Sequence, residues 1–415
     1  MSRKILIHSI VFSPDGVSTA YLYNDIALNF KKQGYDVVVL TTTPHYNVVQ
    51  AEIDKQPLKK KLLGLYYESD FEGIKVKHIP QKKFKNTLLR IIGFLYWHII
   101  SFFLGIFERK IDVILSPSPP LTIGFLNILI GKIKSAKVIY NVQEIYPDLL
   151  IENSGLKSKP VISVLKWLER FVYNNSNAVT TIDKIFYDTI IPRFKDKSKL
   201  YIIPNFVDTD LYRPNATTEI LNPSLFPESN SIKLMYAGNI GFAQDWETLI
   251  ALAIKLREQA IDFFVIGEGV MKDFLWEKKK EYGLTRLHLL DYQPRNLMPS
   301  LLAYADIQFI FMSPETEGHG FPSKVYTIMA CAKPMLVCSG ETTPIINFLR
   351  NKECAYLVTE KNMDKKIDEI ITILLHETTD KHEKKGLNGY VHITKDYTKK
   401  KVTTQYAELV ENLFK

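Results

Sequence analysis

Residues 4–41 read KILIHSIVFSPDGVSTAYLYNDIALNFKKQGYDVVVLT, and this stretch decides the fold. It contains an apolar run at Lys4–His8, a helical pattern at Thr19–Gln33 and a second apolar run at Asp36–Thr41. Two strand-like runs joined by a segment of helix length predict a βαβ unit, because parallel strands need such a crossover. The chain is therefore expected to begin with a parallel sheet.

The same alternation continues along the chain and then starts again. In the first half we expect elements at Ile111–Leu115, Pro120–Ile133, Lys137–Val142, Val161–Asn174, Ala178–Ile182 and Leu200–Ile203. After an Asn-, Pro- and Ser-rich stretch, residues 205–230, strands are expected at Lys233–Ala237, Asp262–Ile266, His288–Leu290, Ile307–Met312 and Met335–Cys338. These patterns predict an α/β protein of two doubly wound, Rossmann-like domains facing a central cleft. We assign residues 1–205 to the first domain, 206–397 to the second and 398–415 to a C-terminal helix.

Length and composition exclude several classes of protein. The chain has 415 residues, 46% hydrophobic and 24% charged, which is typical of two or three globular domains and not of a disordered chain. Three cysteines without a C-x-x-C pair fit a reducing compartment, and the first residues lead into a strand without a signal-peptide core. We therefore expect a cytoplasmic protein. Nothing in the pattern indicates nucleic-acid binding.

One segment departs from the alternation. Ile91–Phe107 is almost entirely apolar, and the region Ala51–Lys110 carries 12 Lys and Arg against 6 Asp and Glu out of a total net charge of +8. A buried core helix is one interpretation. Another is a helix at an anionic membrane surface, where the headgroups would meet the basic residues on either side of it: Lys82, Lys83, Lys85, Arg90, Arg109 and Lys110. A membrane span is the third, although about 20 apolar residues would be needed.

The strongest functional motif is ETEGHGFPSKVYTIMACAKP, residues 315–334. A strand leads into a glycine-containing loop, and Pro322 and Ser323 are typical of a helix start. Free backbone N–H groups there, with Lys324 beside them, predict an anion site of the kind that binds phosphate. An ordinary capped helix with a solvated lysine is the alternative.

Glycine turns follow two strands of the second half. Gly238, Asn239 and Gly241 come directly after Lys233–Ala237, and Gly267 follows Asp262–Ile266. Glycine at such positions lets backbone N–H groups approach a pyrophosphate. The spacing is not G-x-G-x-x-G, so a nicotinamide cofactor is disfavoured.

In the first half, two loops are expected at the carboxyl ends of strands. One contains Asp15, Gly16, Val17 and Ser18, and the other runs from Asn141 to Asp148. Glu144 and Asp148 form a nearby carboxylate pair suited to acid and base chemistry, with surface solvation or helix capping as the alternative. The nine histidines lack the spacing of metal ligands, so no metal and no cofactor are expected.

An ordered set of motifs resembles the bacterial family 4 glycosyltransferases, in the branch that assembles O-antigen, capsule, exopolysaccharide and colanic acid and includes L-fucosamine transferase-like enzymes. The set includes FSPD (12–15), LTTTPHY (40–46), QEIYP (143–147), IPNFVD (203–208), YAGNIG (236–241), VIGEG (265–269) and PSKVYTIMA (322–330). The resemblance implies a GT-B fold, with the last helix returning to the first domain. It also implies a retaining, metal-free transfer from a nucleotide-sugar, such as a UDP-sugar, to an undecaprenyl-diphosphate-linked saccharide at the inner face of the cytoplasmic membrane.

Residue roles follow from the motifs and the resemblance together. The catalytic candidates are Glu144, Lys324 and Glu317. The donor-binding candidates are Gly238, Asn239, Gly241, Gly267, Tyr292, Gln293, His319, Gly320, Pro322, Ser323, Lys324 and Thr327. The acceptor-binding candidates are Asp15, Gly16, Val17, Ser18, His45 and Tyr146.

The chain departs from the family pattern at its charged positions. Of the two glutamates that the family separates by seven residues, the second is replaced by Thr327 and the first by His319, with Glu317 as a stand-in. The usual Arg and Lys after the glycine turn are replaced by Asn239 and Gln244, which leaves Lys324 as the expected phosphate cation. Two other functions stay open: a nucleotide-sugar epimerase of similar fold, and a non-catalytic binding subunit.

Overall fold

The computed structural model describes residues 2–46, 48–82, 86–154, 157–318 and 321–415. The chain forms two compact units. Unit 1 contains residues 1–205 together with 399–415, and unit 2 contains residues 206–398.

Unit 1 is built on one nine-stranded sheet in the order β3-β4-β5-β2-β1-β6-β7-β8-β9. Its elements are β1 (Lys4–His8), α1 (Ser18–Lys32), β2 (Asp36–Thr42), α2 (Gln50–Lys55), β3 (Lys59–Lys61), β4 (Tyr66–Phe71), β5 (Ile74–Ile79), α3 (Thr87–Phe107), β6 (Val113–Pro117), α4 (Leu121–Lys134), β7 (Lys137–Val142), α5 (Asp148–Ser154), α6 (Lys159–Asn175), β8 (Ala178–Thr181), α7 (Lys184–Ile190) and β9 (Leu200–Ile202).

The expected parallel sheet forms the centre of unit 1. β1 pairs in parallel with β2 on one side and with β6 on the other, and its residues Ile5, Leu6 and Ile7 are fully buried. The sequence prediction placed the β6 strand two residues too early. It also missed β3, β4 and β5, of which β4 pairs antiparallel with both neighbours. Charged residues interrupt their apolar pattern: β3 is an exposed edge strand of three lysines, β4 contains Glu68 and Asp70, and the mostly buried β5 contains Lys75 and Lys77.

Unit 2 has a six-stranded sheet in the order β12-β11-β10-β13-β14-β15, in which every pairing is parallel. Its elements are β10 (Ile232–Ala237), α8 (Trp246–Lys255), β11 (Ile261–Ile266), α9 (Lys272–Tyr282), β12 (Leu287–Leu290), α10 (Met298–Tyr304), β13 (Ile307–Phe311), α11 (Lys324–Ala330), β14 (Met335–Cys338), α12 (Pro344–Leu349), β15 (Ala355–Val358), α13 (Met363–His376) and α14 (Thr379–Asp396). The α/β class with two Rossmann-like domains is thus confirmed.

Helix α15 (Lys399–Asn412) closes the chain and packs against α1 in unit 1. Its inner side buries Tyr406, and the Asn29 side-chain amide of α1 donates a hydrogen bond to the Thr403 carbonyl at 3.0 Å. At its end, Glu411 forms an ion pair with Arg3. The apolar spacing of this helix is therefore satisfied by α1.

Helix α3 carries the apolar segment that departed from the sequence pattern. Trp97 and Ser101 are fully buried on its inner side, and Gly105 lies against the Ile130 side chain of α4. The outer side is exposed. In the part of the chain that the structure describes, Leu88–Phe107 is the one helix long and apolar enough to cross a membrane, and 17% of its apolar window is buried. A buried core helix is therefore the wrong interpretation.

The packing of α15 predicts a specific loss of stability. Tyr406→Ala should lower the free energy of unfolding of unit 1 by about 3–5 kcal/mol, since it removes a large buried side chain. Urea unfolding followed by circular dichroism measures the loss. Glu408→Ala, on the exposed side of the same helix, is the control and should change stability little. Similar losses of unfolding free energy in the two variants would show that the packing of α15 against α1 does not stabilise unit 1.

Candidate functional site

The loops of unit 2 that carry the predicted donor residues gather at one edge of its sheet. β10, β11, β12 and β13 are parallel, so their carboxyl ends lie side by side. The turn at Gly238 follows β10, Gly267 follows β11, and Tyr292 and Gln293 follow β12. Ligands of open parallel sheets bind at such an edge.

The Lys324 amine is the most unusual group at this edge. Its Nζ atom is buried and has no hydrogen-bond partner among the described residues. It lies 3.2 Å from the centre of the Tyr236 ring, which is a cation–π position. Burial lowers the pKa of Lys324 well below its usual value. The buried amine is therefore suited to bind an anion, because a negatively charged partner would stabilise its charged form.

Gly238 leaves space for this amine. Its φ is +151°, and a Cβ atom there would lie 2.8 Å from Lys324 Nζ. The Tyr236 hydroxyl donates a hydrogen bond to the Asn239 carbonyl at 2.6 Å, which fixes the turn over the ring. The sequence prediction missed Tyr236. Its position as the second-last residue of a strand that ends at the site is the signal that could have identified it.

The two glycine turns pack backbone on backbone. Gly267 has a φ of +145°, and a Cβ atom there would lie 1.9 Å from the Gly238 carbonyl oxygen. Next to this contact, the Ile240 N–H donates to the Glu268 carbonyl at 2.8 Å. Glycine at 267 therefore keeps the two turns in contact, and this steric role does not depend on a ligand.

The Glu317 carboxylate is turned toward the loop that follows β14. It accepts hydrogen bonds from the Ser339 hydroxyl at 3.0 Å and from the Gly340 N–H at 2.6 Å. These two partners were not part of the sequence prediction. Glu317 therefore connects the loops after β13 and β14.

Pro322 and Ser323 precede α11, which has seven residues and no side-chain cap at its start. The Thr327 hydroxyl, in the position of the family's second glutamate, donates to the Lys324 carbonyl at 2.9 Å. Gln293 donates from its side chain to the Asp291 carbonyl. Two predicted donor residues, His319 and Gly320, lie outside the described residues.

In unit 1, the predicted acceptor loops also meet at the carboxyl edge of the sheet. The buried Asp15 carboxylate accepts hydrogen bonds from the His45 and Tyr46 backbone N–H groups, both at 3.0 Å. Asp15 thus joins the loop after β1 to the loop after β2. Gly16 and Val17 are partly exposed, and Ser18, the first residue of α1, is exposed.

Glu144 and Asp148, the predicted carboxylate pair, have different surroundings. Burial raises the pKa of the Glu144 carboxyl, which has no hydrogen bond or ion pair among the described residues. Burial raises the pKa of the Tyr46 and Tyr146 hydroxyls, and the negative charge of Glu144 raises it further. Asp148 instead forms an ion pair with Arg193 at 2.5 Å. The two carboxylates therefore differ in that Asp148 is held in an ion pair, whereas the Glu144 carboxyl, among the described residues, is not.

An amide network that the sequence prediction missed lies beside Glu144. The side chains of Gln143 and Asn205 exchange hydrogen bonds of 3.0 and 2.9 Å, and Gln143 also donates to Asn141. Within the described residues, no group of three or more His, Cys, Asp or Glu side chains is arranged to hold a metal ion.

Two family models together cover most of the chain. Glycosyltransferase Family 4 matches residues 20–211, and Glycosyl transferases group 1 matches residues 218–391. The class defined by the fold and these matches is the GT-B glycosyltransferases. The chain belongs to the family 4 glycosyltransferases.

Two relatives and two solved structures are similar to this chain. A candidate colanic acid biosynthesis glycosyl transferase, WcaI of Escherichia coli K12, is 24% identical over 79% of this chain and 81% of its own length. The candidate glycosyltransferase WbjE of Pseudomonas aeruginosa is 23% identical over 55% of this chain and 57% of its own. Among solved structures, Anabaena Alr3699/HepE in complex with UDP-glucose has a TM-score of 0.71 at 13% identity, covering 99% of both chains. WaaG, a glycosyltransferase involved in lipopolysaccharide biosynthesis, has a TM-score of 0.68 at 12% identity, covering 98% of this chain and 99% of its own.

The contact between the glycine turns predicts the effect of a substitution. Gly267→Ala should lower the stability of unit 2 by about 3–4 kcal/mol, because the new methyl group collides with a backbone carbonyl and the backbone conformation is strained. Gly283→Ala is the matched control, since Gly283 also has a positive φ but open space around it. It should cost about 1–2 kcal/mol. Equal losses in urea unfolding would show that the turns are not in close contact.

Proposed function

We propose that this protein is a retaining glycosyltransferase of cell-surface polysaccharide biosynthesis. It transfers a sugar from a nucleotide-sugar, with UDP favoured as the nucleotide, to an undecaprenyl-diphosphate-linked saccharide. No metal takes part. The protein acts as a peripheral protein on the inner face of the cytoplasmic membrane.

The observation that carries the proposal is the buried Lys324 amine without a hydrogen-bond partner, held between the Tyr236 ring and Gly238. A diphosphate at this sheet edge would supply the missing negative charge. This role for Lys324 fits the departures from the family pattern. Asn239 and Gln244 replace the family's usual Arg and Lys, so Lys324 remains as the cation that binds the phosphates. The complex of Alr3699/HepE with UDP-glucose supports the choice of UDP.

The proposed reaction breaks the bond between the anomeric carbon and the diphosphate oxygen. The acceptor hydroxyl oxygen forms the new bond on the same face of the sugar, and its proton leaves to a base. Negative charge develops on the departing nucleoside diphosphate, and Lys324 stabilises it, which is the kind of electrostatic term that often dominates catalysis. Glu144 orients the acceptor hydroxyl or accepts its proton, since burial keeps the pKa of its carboxyl raised.

The exposed side of α3 supports a membrane-associated acceptor. Ile92, Leu95, Ile99 and Phe103 are each about half exposed on one side of this helix. Trp97 and Ser101, on the opposite side of the helix, are buried against the rest of unit 1. This packing favours a helix that lies in the membrane interface over a helix that crosses the membrane. Of the nearby lysines that the sequence suggested, Lys82 is exposed, and Lys83 and Lys85 lie outside the described residues.

The test of the proposed function is a donor panel. The protein is incubated with UDP-, GDP- and dTDP-sugars, bacterial lipid extract and a chelator, and the released nucleotide and glycolipid are identified. Release of UDP with sugar on a lipid, unaffected by the chelator, is expected. An epimerised nucleotide-sugar without acceptor would indicate an epimerase instead, and activity restored only by magnesium or manganese would contradict the metal-free mechanism.

Removal of the Lys324 charge should reduce catalysis more than donor binding. In Lys324→Ala and in the similarly sized Lys324→Met, kcat should fall roughly 100-fold or more, since the charge acts on the leaving group. Steady-state kinetics and calorimetric titration of the donor separate kcat from Kd. Lys280→Ala, on the exposed side of α9, is the control. Unchanged turnover in both Lys324 variants would remove this lysine from the mechanism.

The raised pKa of Glu144 predicts the acid side of the pH profile. A base acts as a carboxylate, so kcat/KM should fall as the pH drops through a pKa above the usual range of glutamate. Glu144→Gln should lower kcat roughly 100-fold and abolish this limb. The control is Glu408→Gln, at an exposed position of α15. An unchanged pH profile in Glu144→Gln would assign the limb to another group.

A further inference from the structure

The turn between β3 and β4 exposes large apolar side chains. Leu62 is 65% exposed, Leu63 is 100% exposed and Leu65 is 46% exposed. We call residues 62–65 the leucine tip. Leucine is among the residues most often buried in folded proteins, so three exposed leucines in four residues are not explained by packing.

Turn geometry does not explain these leucines either. Leu62 and Leu63 have φ values of +44° and +57°, and Gly64 has a φ of +99°. The left-handed region is adopted at low cost by Gly, Asn and Asp, and at roughly 1–2 kcal/mol by other residues. A sequence chosen only to make the turn would therefore contain those residues. The leucines occupy the positions at a cost in stability.

Three lysines lie directly before the tip. Lys59, Lys60 and Lys61 form strand β3 at the edge of the sheet, and all three are exposed. Lys61 lies 3.6 Å from Glu68, whereas Lys59 and Lys60 have no ion pair among the described residues. Lysines on an edge strand discourage pairing with another chain. This explains the lysines but not the apolar tip beside them.

The tip lies at the carboxyl edge of the sheet of unit 1. β4 runs antiparallel to β5, with Tyr67 opposite His78, so the start of β4 lies beside the end of β5. β5 is parallel to β2, after which the loop with His45 follows. The tip and the predicted acceptor loops are therefore on the same edge.

The tip also contacts helix α3. The Tyr96 hydroxyl of α3 donates a hydrogen bond to the Leu65 carbonyl at 2.9 Å. The exposed apolar sides of the tip and of α3 thus belong to one part of unit 1. No Asp or Glu occurs within α3.

We propose that the leucine tip inserts into an anionic lipid bilayer beside α3, with Lys59, Lys60 and Lys61 at the headgroups. Apolar side chains enter the acyl region while lysines meet anionic lipids, which is the pattern of interfacial anchors. A second copy of the chain fits less well, because a symmetric contact would place the same lysines against each other. The proposal deepens the proposed function, on which it rests for the lipid-linked acceptor, since the tip would hold the bilayer at the acceptor edge.

The experiment uses the full chain with a fluorescent label. Leu63→Cys is labelled with an environment-sensitive dye, and the three native cysteines are buried and react little. Vesicles of phosphatidylcholine and phosphatidylglycerol, without donor or acceptor, should shift the emission to the blue, and nitroxide groups on the acyl chains should quench it. Vesicles of phosphatidylcholine alone should produce a weaker response.

A pair of substitutions measures the contribution of the tip. Leu62→Ser with Leu63→Ser should weaken partitioning onto the anionic vesicles by at least about tenfold, since two apolar side chains no longer leave water. The control is Leu387→Ser with Val391→Ser, which changes two apolar residues on α14 of unit 2 that are each more than half exposed. The control should bind vesicles like the wild type.

The other outcomes separate the alternatives. A second variant, Ile99→Cys, carries the same dye on α3. If the dye at position 63 stays in water while the dye at position 99 enters the lipid, insertion of the tip is overturned and α3 remains as the anchor. A wild-type protein that does not bind vesicles would overturn both. Self-association without lipid that the paired serine variant abolishes would indicate a second copy as the occupant. Transferase activity on acceptor in detergent is measured separately, so its absence would contradict the proposed function and not the insertion.

Discussion

Parallel pairing of the central strands is the constraint on which both units depend. Parallel strands cannot be joined by tight turns, so each connection crosses the sheet, usually as a helix, and returns to the same starting edge. The loops that leave β10, β11, β12 and β13 consequently collect at one edge, and those that leave β1, β2 and β7 do the same in unit 1. The common location of the candidate site residues in each unit follows from this rule.

Within that arrangement, the Lys324 amine is one of several buried side-chain groups of unit 2 that have no hydrogen-bond partner among the described residues. Most buried polar groups have a partner, because desolvation without a hydrogen bond is costly. The Lys324 amine has the face of Tyr236 instead, which attracts a cation more weakly than a carboxylate would. An enzyme whose lysine were already paired would have to break that pair to bind an anion. Without a ligand, unit 2 instead carries the cost in stability of the buried Lys324 amine, and an anionic ligand can relieve that cost.

The sequence was sufficient for much of the fold and for the position of Lys324 at the start of the helix that follows β13. The apolar runs of β1 and β10 are continuous because both faces of a parallel sheet are buried, and such runs are easily recognised. Strands β3, β4 and β5 were not predicted, since β3 consists of three exposed lysines and charged residues interrupt the apolar runs of β4 and β5. The surroundings of Lys324 also could not be predicted. Tyr236 lies nearly ninety positions away, and only the register of β10 brings its ring under the amine.

The return of α15 to unit 1 has a consequence for how the protein is made. Ribosomes add roughly 5–20 residues per second, and domains near the N-terminus usually fold while the rest is still being synthesised. Here about 190 residues of unit 2 separate Asn205 from Lys399. The side of α1 that receives Tyr406 therefore stays uncovered for on the order of ten seconds or more after the rest of unit 1 has emerged. During that interval this side of α1 is exposed, and unit 1 gains the stabilising contacts of α15 only after residues 399–412 have been made.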